Sequence, residues 1–242
     1  MFATASTSTA GIGCYLANVI NNPVWKLDGK GYEFTNNYDA LNRPTTTEVN
    51  GGISPNPAIT SQIVSRIEYG EAETNPELLN LRGQAVRIFD GAGVTKITAF
   101  DFKGSPLTKT QQLVEDAPTL PDWTTPASLN LLAEVYTSSI QYDALGRPLS
   151  TSSAADTSMT ASVTKHTYNE AGLLETVSTF LQGSVVETAV VTNINYNSKG
   201  QRTDIYYGNT TKTRYYYDSK TFQLKRLLTT RNTGSVVLQD SK

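Results

Sequence analysis

One short cassette recurs along the chain and limits what it can fold into: an aromatic residue, Asp or Asn, two variable residues, then Gly. Its best copy runs Tyr142, Asp143, Ala144, Leu145, Gly146 and continues into Arg147 and Pro148. Tyr38, Asp39, Ala40, Leu41, Asn42, Arg43 and Pro44 match it closely, with Asn, the next-best residue for a positive φ, in place of Gly. Further copies begin at Phe89 (Asp90, Gly93), Phe100 (Asp101, Gly104), Tyr168 (Asn169, Gly172) and Tyr196 (Asn197, Gly200), and degenerate ones at Leu27 and at Tyr217 (Asp218, Thr221). In each, a large ring ends a strand, the Asx side chain closes a turn onto the backbone, and Gly supplies the left-handed residue before a β-prone run leads out again. The cassette is therefore a turn between two strands. Two pairs eleven residues apart, followed by steps of 26, 28 and 21, suit hairpin-sized units. A lone hairpin is marginal in water, so the repeat predicts a stacked array sharing one sheet.

Composition fits such an array and excludes several partners. Charged residues are only 17% and Thr numbers 34, a β-prone, turn-rich balance. With 20 basic against 22 acidic residues and no long basic run, the chain lacks an electrostatic footprint for nucleic acid or anionic lipid. Cys14 is the only cysteine, so neither an intrachain disulfide nor a cysteine-based zinc site can form. No apolar run approaches a membrane span, and the Ser/Thr/Ala string from Met1 to Ala10 lacks the basic start of a secretory signal. Residues 1–20 are expected to be a poorly ordered N-terminal segment.

From there the organisation is expected to run as a repeat series over 21–242: a first repeat pair over 24–48, a Gly/Ser/Asn/Pro loop over 50–57, and a second pair over 63–107. An irregular bridge follows over 108–132, with a short helical turn at 111–116 and an extended stretch at 117–123. The repeat series resumes over 133–242, broken by a polar loop at 150–162. Pro76 opens a single helical turn over 75–79. Alternation places Val190, Thr192, Ile194 and Tyr196 on one face against Val191, Asn193 and Asn195. Beyond Gly200, Arg202, Asp204 and Tyr206 oppose Thr203, Ile205 and Tyr207, and Lys212, Arg214 and Tyr216 oppose Thr213, Tyr215 and Tyr217.

These cassettes resemble those of the Rhs or YD-repeat proteins, named for tandem Tyr-Asp units, over nearly the whole chain. The segments Ile67 to Glu71, Asn80 to Asp90, Pro121 to Trp123, Tyr168 to Glu170 and Lys199 to Arg202 are similar, more narrowly, to the shell-forming subunits of bacterial insecticidal toxin complexes. The resemblance implies an all-β fold of tandem YD-repeat β-hairpins in a curved or spiralling sheet, a section of a cocoon-like shell with little helix. Roughly ten to fourteen strands are expected, at about two per cassette with some losses. It implies as partners the remainder of the shell and an enclosed toxin polypeptide, in a secreted or cell-surface assembly, with a structural and non-enzymatic role. Family shells are several times longer and end in a core with an Asp-Pro-x-Gly motif. No Asp-Pro pair occurs here and the repeat pattern would run on past Lys242, so the chain is expected to be a truncated wall panel that neither encloses nor releases cargo by itself.

No residue stands out for catalysis. His166, the sole histidine, falls inside the strand alternation of 163–168, and Cys14 has no basic or histidine neighbour to lower its pKa. Asp39, Asp90, Asp101, Asp143 and Asp218 offer one carboxylate per turn, whereas calcium takes six or more oxygens. Gly91 and Gly93 lack the third glycine and the helix of a phosphate cradle, and no cofactor is expected. One candidate binding surface remains, the strip in which Tyr206, Tyr216 and Arg214 can stack on and pair with an acidic glycan; YD-repeat proteins have been associated with carbohydrate binding. A secreted or surface adhesion module is the alternative function. Aromatic rows at alternating positions also serve as plain cross-strand packing.

Overall fold

In a computed structural model of the chain, residues 2–8, 11–116, 119–231, 234 and 236–242 are described, with side chains from Cys14 onward. Eighteen strands occur among the described residues, and helix is confined to three single 3₁₀ turns at Gly70–Ala72, Pro126–Ser128 and Leu181–Gly183. The chain divides into two compact units, residues 1–137 and 138–242. In the first, β1 (Phe2–Ser8), β2 (Gly11–Ala17), β3 (Pro23–Leu27), β4 (Tyr32–Tyr38), β5 (Pro44–Gly51), β6 (Ile59–Tyr69), β7 (Ala85–Phe89), β8 (Gly93–Phe100) and β9 (Pro106–Leu113) pair in chain order, each antiparallel to its predecessor. The second holds the same meander: β10 (Tyr136–Tyr142), β11 (Pro148–Ser152), β12 (Val163–Tyr168), β13 (Leu174–Phe180), β14 (Thr188–Tyr196), β15 (Arg202–Tyr207), β16 (Thr211–Tyr217), β17 (Leu224–Arg231) and β18 (Val236–Ser241).

A meander has two edges, and the cassettes divide between them. In the second unit the turns opening at Asp143, Asn169, Asn197 and Asp218 all follow even-numbered strands and so share one edge. In the first unit the turns at Asp39 and Asp101 share an edge with the 70–84 connection, while the copies at Leu27 and Phe89 lie on the opposite edge. That explains the eleven-residue pairs: they are one strand plus one turn apart. Connections on the edge without the main cassettes vary, from 208–210 to 153–162.

Several local expectations are corrected by pairing. Eighteen strands replace ten to fourteen because β1, β2, β6 and β18 flank no recognised cassette. At the start of the chain β1 pairs with β2, and β2 pairs with β3 through Tyr15 opposite Lys26 and Leu16 opposite Trp25; residues 1, 9 and 10 lie outside the described residues. The helical turn expected at 111–116 is strand and bridge instead, because Gln111 and Gln112 pair with Thr95 and Val94, and Val114 bridges Leu131. Sheet pairing here overrides local propensity. At 75–79 the chain makes turns rather than helix, since Asn75 (φ +51°) and Asn80 (φ +52°) are left-handed. Residues 117 and 118 of the expected extended stretch lie outside the described residues. In β14 a register shift between Val191 and Asn193 moves Val191 onto the face of Tyr207 and Ile194 onto that of Ile205, so the alternation expected from 190 to 196 breaks at Thr192.

The first unit buries two small clusters. The 70–84 connection brings Leu81 onto Val86 and Phe100, with Ile97 beside them. The segment after β9 folds back to set Trp123 on Phe89 and Val114, flanked by Ile63, Val94, Leu129 and Leu131. Trp123 is fully buried; its ring lies 5.1 Å from that of Phe89, its indole N–H donates to the Asp90 carbonyl (3.0 Å), and its amide donates to the Ile63 carbonyl (2.8 Å). In the second unit the buried residues Thr179, Ile194, Ile205, Thr211 and Thr213 follow from side-by-side strand packing alone.

Candidate functional site

The turn at Asp143 shows the chemistry of the repeat. Its amide donates to the Arg147 carbonyl (2.9 Å), and Gly146, at φ +82°, donates back to the Asp143 carbonyl (2.9 Å). The Asp143 Oδ1 accepts the amides of Leu145 and Arg147, both at 2.9 Å, so the loop closes on its own backbone and the Asx oxygen. The same frame recurs at Asp28, Asp39, Asp101, Asn169 and Asn197. It recurs also at Asn18, where Asn21 (φ +65°) is the left-handed residue. Sequence reading missed that turn because Ala17 stands where an aromatic was sought; the surviving signal was Asn18 followed three residues later by Asn21.

Two cassettes depart from the frame. At Phe89 the loop is one residue shorter, Asp90 donating to the Gly93 carbonyl (3.0 Å), and Gly93 sits at φ +148° rather than in the left-handed helical well. At Tyr217 it is one residue longer, closing from Asp218 to the Gln223 carbonyl (2.8 Å), with Phe222 (φ +59°) as the left-handed residue in place of Thr221.

The tyrosines do more than end strands. Tyr168 donates its hydroxyl to the carbonyl of Pro148 (2.9 Å), the first strand residue after the preceding same-edge turn. Tyr38 does so to Pro23 (2.7 Å), Tyr69 to Pro44 (3.0 Å), Tyr196 to Leu174 (2.6 Å) and Tyr217 to Arg202 (2.9 Å). Each turn is thereby latched to the one before it. Burial raises the phenol pKa of Tyr38, Tyr69 and Tyr168, which keeps them neutral donors. The Arg of the full cassette closes the latch from above: Arg147 binds Asp143 of its own turn (2.6 Å) and lies 4.2 Å over the Tyr168 ring, and Arg43 binds Asp39 (2.7 Å) and lies 3.9 Å over Tyr69. Phe89 and Phe100, which have no hydroxyl to place, are instead buried in the two clusters of the first unit.

Two expected outcomes follow. Tyr168→Phe keeps the ring under Arg147 and removes one hydrogen bond, so a loss of about 1 kcal/mol in urea unfolding is expected; an unchanged midpoint would show that the latch contributes nothing. The second outcome concerns acid. The Arg147 amide, aided by its guanidinium, holds the Asp143 carboxyl below its ordinary pKa, the Arg43 amide and guanidinium do the same for Asp39, and the Ser105 amide for Asp101. Folded pKa values below the unfolded one contribute stability that is complete above about pH 4 and is lost as pH falls through the depressed values. Asp143→Asn, which keeps the acceptor oxygen as Asn169 and Asn197 do, should flatten that acid loss in a series of urea midpoints.

The candidate glycan strip is already engaged with itself. Tyr206 accepts a hydrogen bond from Lys212 (2.9 Å), whose ammonium also pairs with Asp204 (2.7 Å). Arg214 binds Asp204 (3.0 Å), and Arg226, bound to Asp240 (2.7 Å), lies 5.5 Å over the Tyr216 ring. A shallow groove of about 840 Å³ runs past Tyr206, Lys212 and Arg214. His166 stands opposite Val177, and its buried Nδ1 has no hydrogen-bond partner, so no carboxylate or nucleophile is hydrogen-bonded there. No three metal-ligating side chains gather among the described residues.

Comparison with known proteins agrees with this fold. No family model matches the chain. It is 26% identical over 224 residues to toxin subunit YenC1 of Yersinia entomophaga, covering 90% of this chain and 22% of that protein. To toxin subunit YenC2 of the same organism it is 31% identical over 206 residues, covering 81% and 20%. The chain thus spans about a fifth of the length of the curated relatives it matches. Among solved structures, TcdB2-TccC3 superposes with a TM-score of 0.83 at 26% identity over 96% of this chain and 11% of that one, and TcdB2-TccC3-Cdc42 with 0.84 at 26% identity over 98% and 11%. Matching these relatives in sequence and in its all-antiparallel β fold, the chain is a YD-repeat segment of the kind found in the Rhs-type shell of bacterial toxin-complex subunits.

Proposed function

We propose that the chain serves as a stretch of shell wall, a non-catalytic sheet that separates an enclosed toxic polypeptide from solvent in a secreted toxin assembly. The observation that carries this reading is the division of charge between the two faces of the second unit. In the paired registers, Lys165, Asp204, Lys212, Arg214, Arg226 and Asp240 share one face. The other presents His166, Val177, Val191, Ile205, Tyr207 and Thr213, with Arg231 at the far end of β17. Apart from Arg231 at its far end, this hydroxyl-bearing and aliphatic face carries little charge and can lie against unfolded chains of varied charge pattern, while the ionic face stays solvated. Adhesion to glycans draws less support, because the rings and cations it would use are paired with one another.

The test uses the full chain with a benzophenone amino acid at Tyr207, on the uncharged face, or at Tyr206, on the charged one. After irradiation with a permanently unfolded polypeptide of low net charge, capture is expected chiefly through position 207. Equal capture through position 206, or none through 207, would sink the reading.

A further inference from the structure

The groove of about 840 Å³ on the ionic face of the second unit carries a charge that the fold leaves unmatched. Register sets two rows across β15, β16 and β17: Tyr206 faces Lys212 and Lys212 faces Thr230, while beside them Asp204 faces Arg214 and Arg214 faces Leu228. All but Asp204 line the groove, and the Asp204 carboxylate is the most covered of the ionic groups, 17% exposed against 26% for Lys212 and 50% for Arg214. Both cations bind the same Asp204 oxygen, at 2.7 and 3.0 Å. One carboxylate thus answers two cations. Arg214 uses only its Nε, which leaves its terminal nitrogens without a carboxylate among the described residues. The neighbouring Arg226 is matched one to one by both oxygens of Asp240, each at 2.7 Å. No acidic side chain is among the described residues that line the groove, so it keeps one positive charge in excess.

The chemistry of the groove selects among anions. A carboxylate meeting the open fork of Arg214 gains charge-assisted hydrogen bonds with a group already held in place by Asp204. A sugar ring is a poorer occupant, because a cation already lies over each ring it would stack on: the Lys212 ammonium is 4.4 Å from the centre of the Tyr206 ring and the Arg226 guanidinium 5.5 Å from that of Tyr216. A bare inorganic anion would answer the charge but leave Leu228, beside Arg214, uncovered. An acidic peptide answers both, with a carboxylate on the Arg214 fork and an apolar neighbour on Leu228.

We propose that this groove binds an acidic peptide segment of a partner protein, taking one Asp or Glu carboxylate on Arg214 and Lys212 and an apolar side chain on Leu228. The site lies on the ionic side of the sheet, so it goes beyond the wall reading and is tested apart from it. The full chain is titrated into a fluorescein-labelled peptide of alternating glutamate and leucine at low salt, with fluorescence anisotropy as the readout. Saturable binding is expected, weakened about tenfold or more by Arg214→Gln and largely restored by Arg214→Lys. The same peptide with glutamine for glutamate should not bind. Asp204→Asn raises the excess from one charge to two and should tighten binding several-fold, a change of opposite sign that lost structure cannot mimic. Lys165→Gln, which removes a cation of the same face outside the groove, should leave binding unchanged. Circular dichroism checks that each variant is folded, and if Asp204→Asn is not, the Arg214 pair decides. No saturable binding, equal binding of the glutamine peptide, or indifference to Arg214→Gln overturns the proposal. So does a sulfated oligosaccharide that binds more tightly than the peptide and loses its affinity in Arg214→Gln, which would assign the groove to an acidic glycan.

Discussion

Trp123→Ala is expected to destabilise the first unit by about 3–5 kcal/mol, the largest effect of any single side-chain truncation in the chain. The indole is fully buried among Phe89, Val114, Ile63 and Val94, so its removal leaves a cavity that strands held in register cannot collapse into. Its loss also strands the Asp90 carbonyl, which accepts the indole N–H inside the shortened turn at 90–93. Because Asp122 caps the amides of Ile63 and Thr124 beside it, the whole fold-back after β9 should loosen together. Urea unfolding followed by far-ultraviolet circular dichroism measures the loss. Trp123→Phe separates the two causes, for it refills most of the cavity without the N–H and should cost about 1–2 kcal/mol. A midpoint shift equal to that of Ala would assign the effect to the hydrogen bond.

Gly93→Ala is expected to cost about 3 kcal/mol, at the upper end of overpacking substitutions. A Cβ there would fall 2.1 Å from the Gln112 carbonyl oxygen and 2.8 Å from the Leu113 Cα, both backbone atoms of the paired strand β9, and φ is +148°. No side chain can swing aside to make room. Relief requires β8 and β9 to part where Gly93 pairs with Leu113. Gly91, two residues earlier in the same turn, has nothing within 4 Å of its would-be Cβ, and Gly91→Ala should leave the midpoint within about 0.5 kcal/mol of the parent. Equal effects at the two positions would show that the close approach of β8 and β9 is not what fixes Gly93.

The contrast between these two glycines shows where sequence reading works. A turn whose partners lie within five residues, such as Asp143 to Arg147, writes its whole frame into local sequence, and aromatic, Asx and Gly at fixed offsets are enough to find it. Gly93 looks like the same motif but answers to Leu113, twenty residues away, which no local pattern reveals. The tyrosine latches were hidden for the same reason: Tyr196 and Leu174 meet only because β13 and β14 pair as a hairpin and bring its two open ends together. Gln111 and Gln112 were misassigned as helical because their strand identity comes from Thr95 and Val94. At the candidate strip, the tyrosines and cations were legible as residue types, whereas their mutual pairing through Asp204 and Asp240 depends on cross-strand register.

The one-sided latching bears on how such a chain can change length. On the latched edge each tyrosine reaches its carbonyl before its own turn begins, so the turn at Asp218 can be one residue longer and the connection 70–84 far longer while Tyr217 and Tyr69 still reach Arg202 and Pro44. Across the sheet the segment 153–162 and the three-residue connection 208–210 occupy equivalent positions with no tyrosine spanning them. Extra sequence placed there costs only loop-closure entropy, which grows slowly with length. Novelty, whether a longer loop or a whole inserted module, can therefore grow in the connections beyond the tyrosines, and a lineage of such sheets can diversify there while the latches keep its repeats in step.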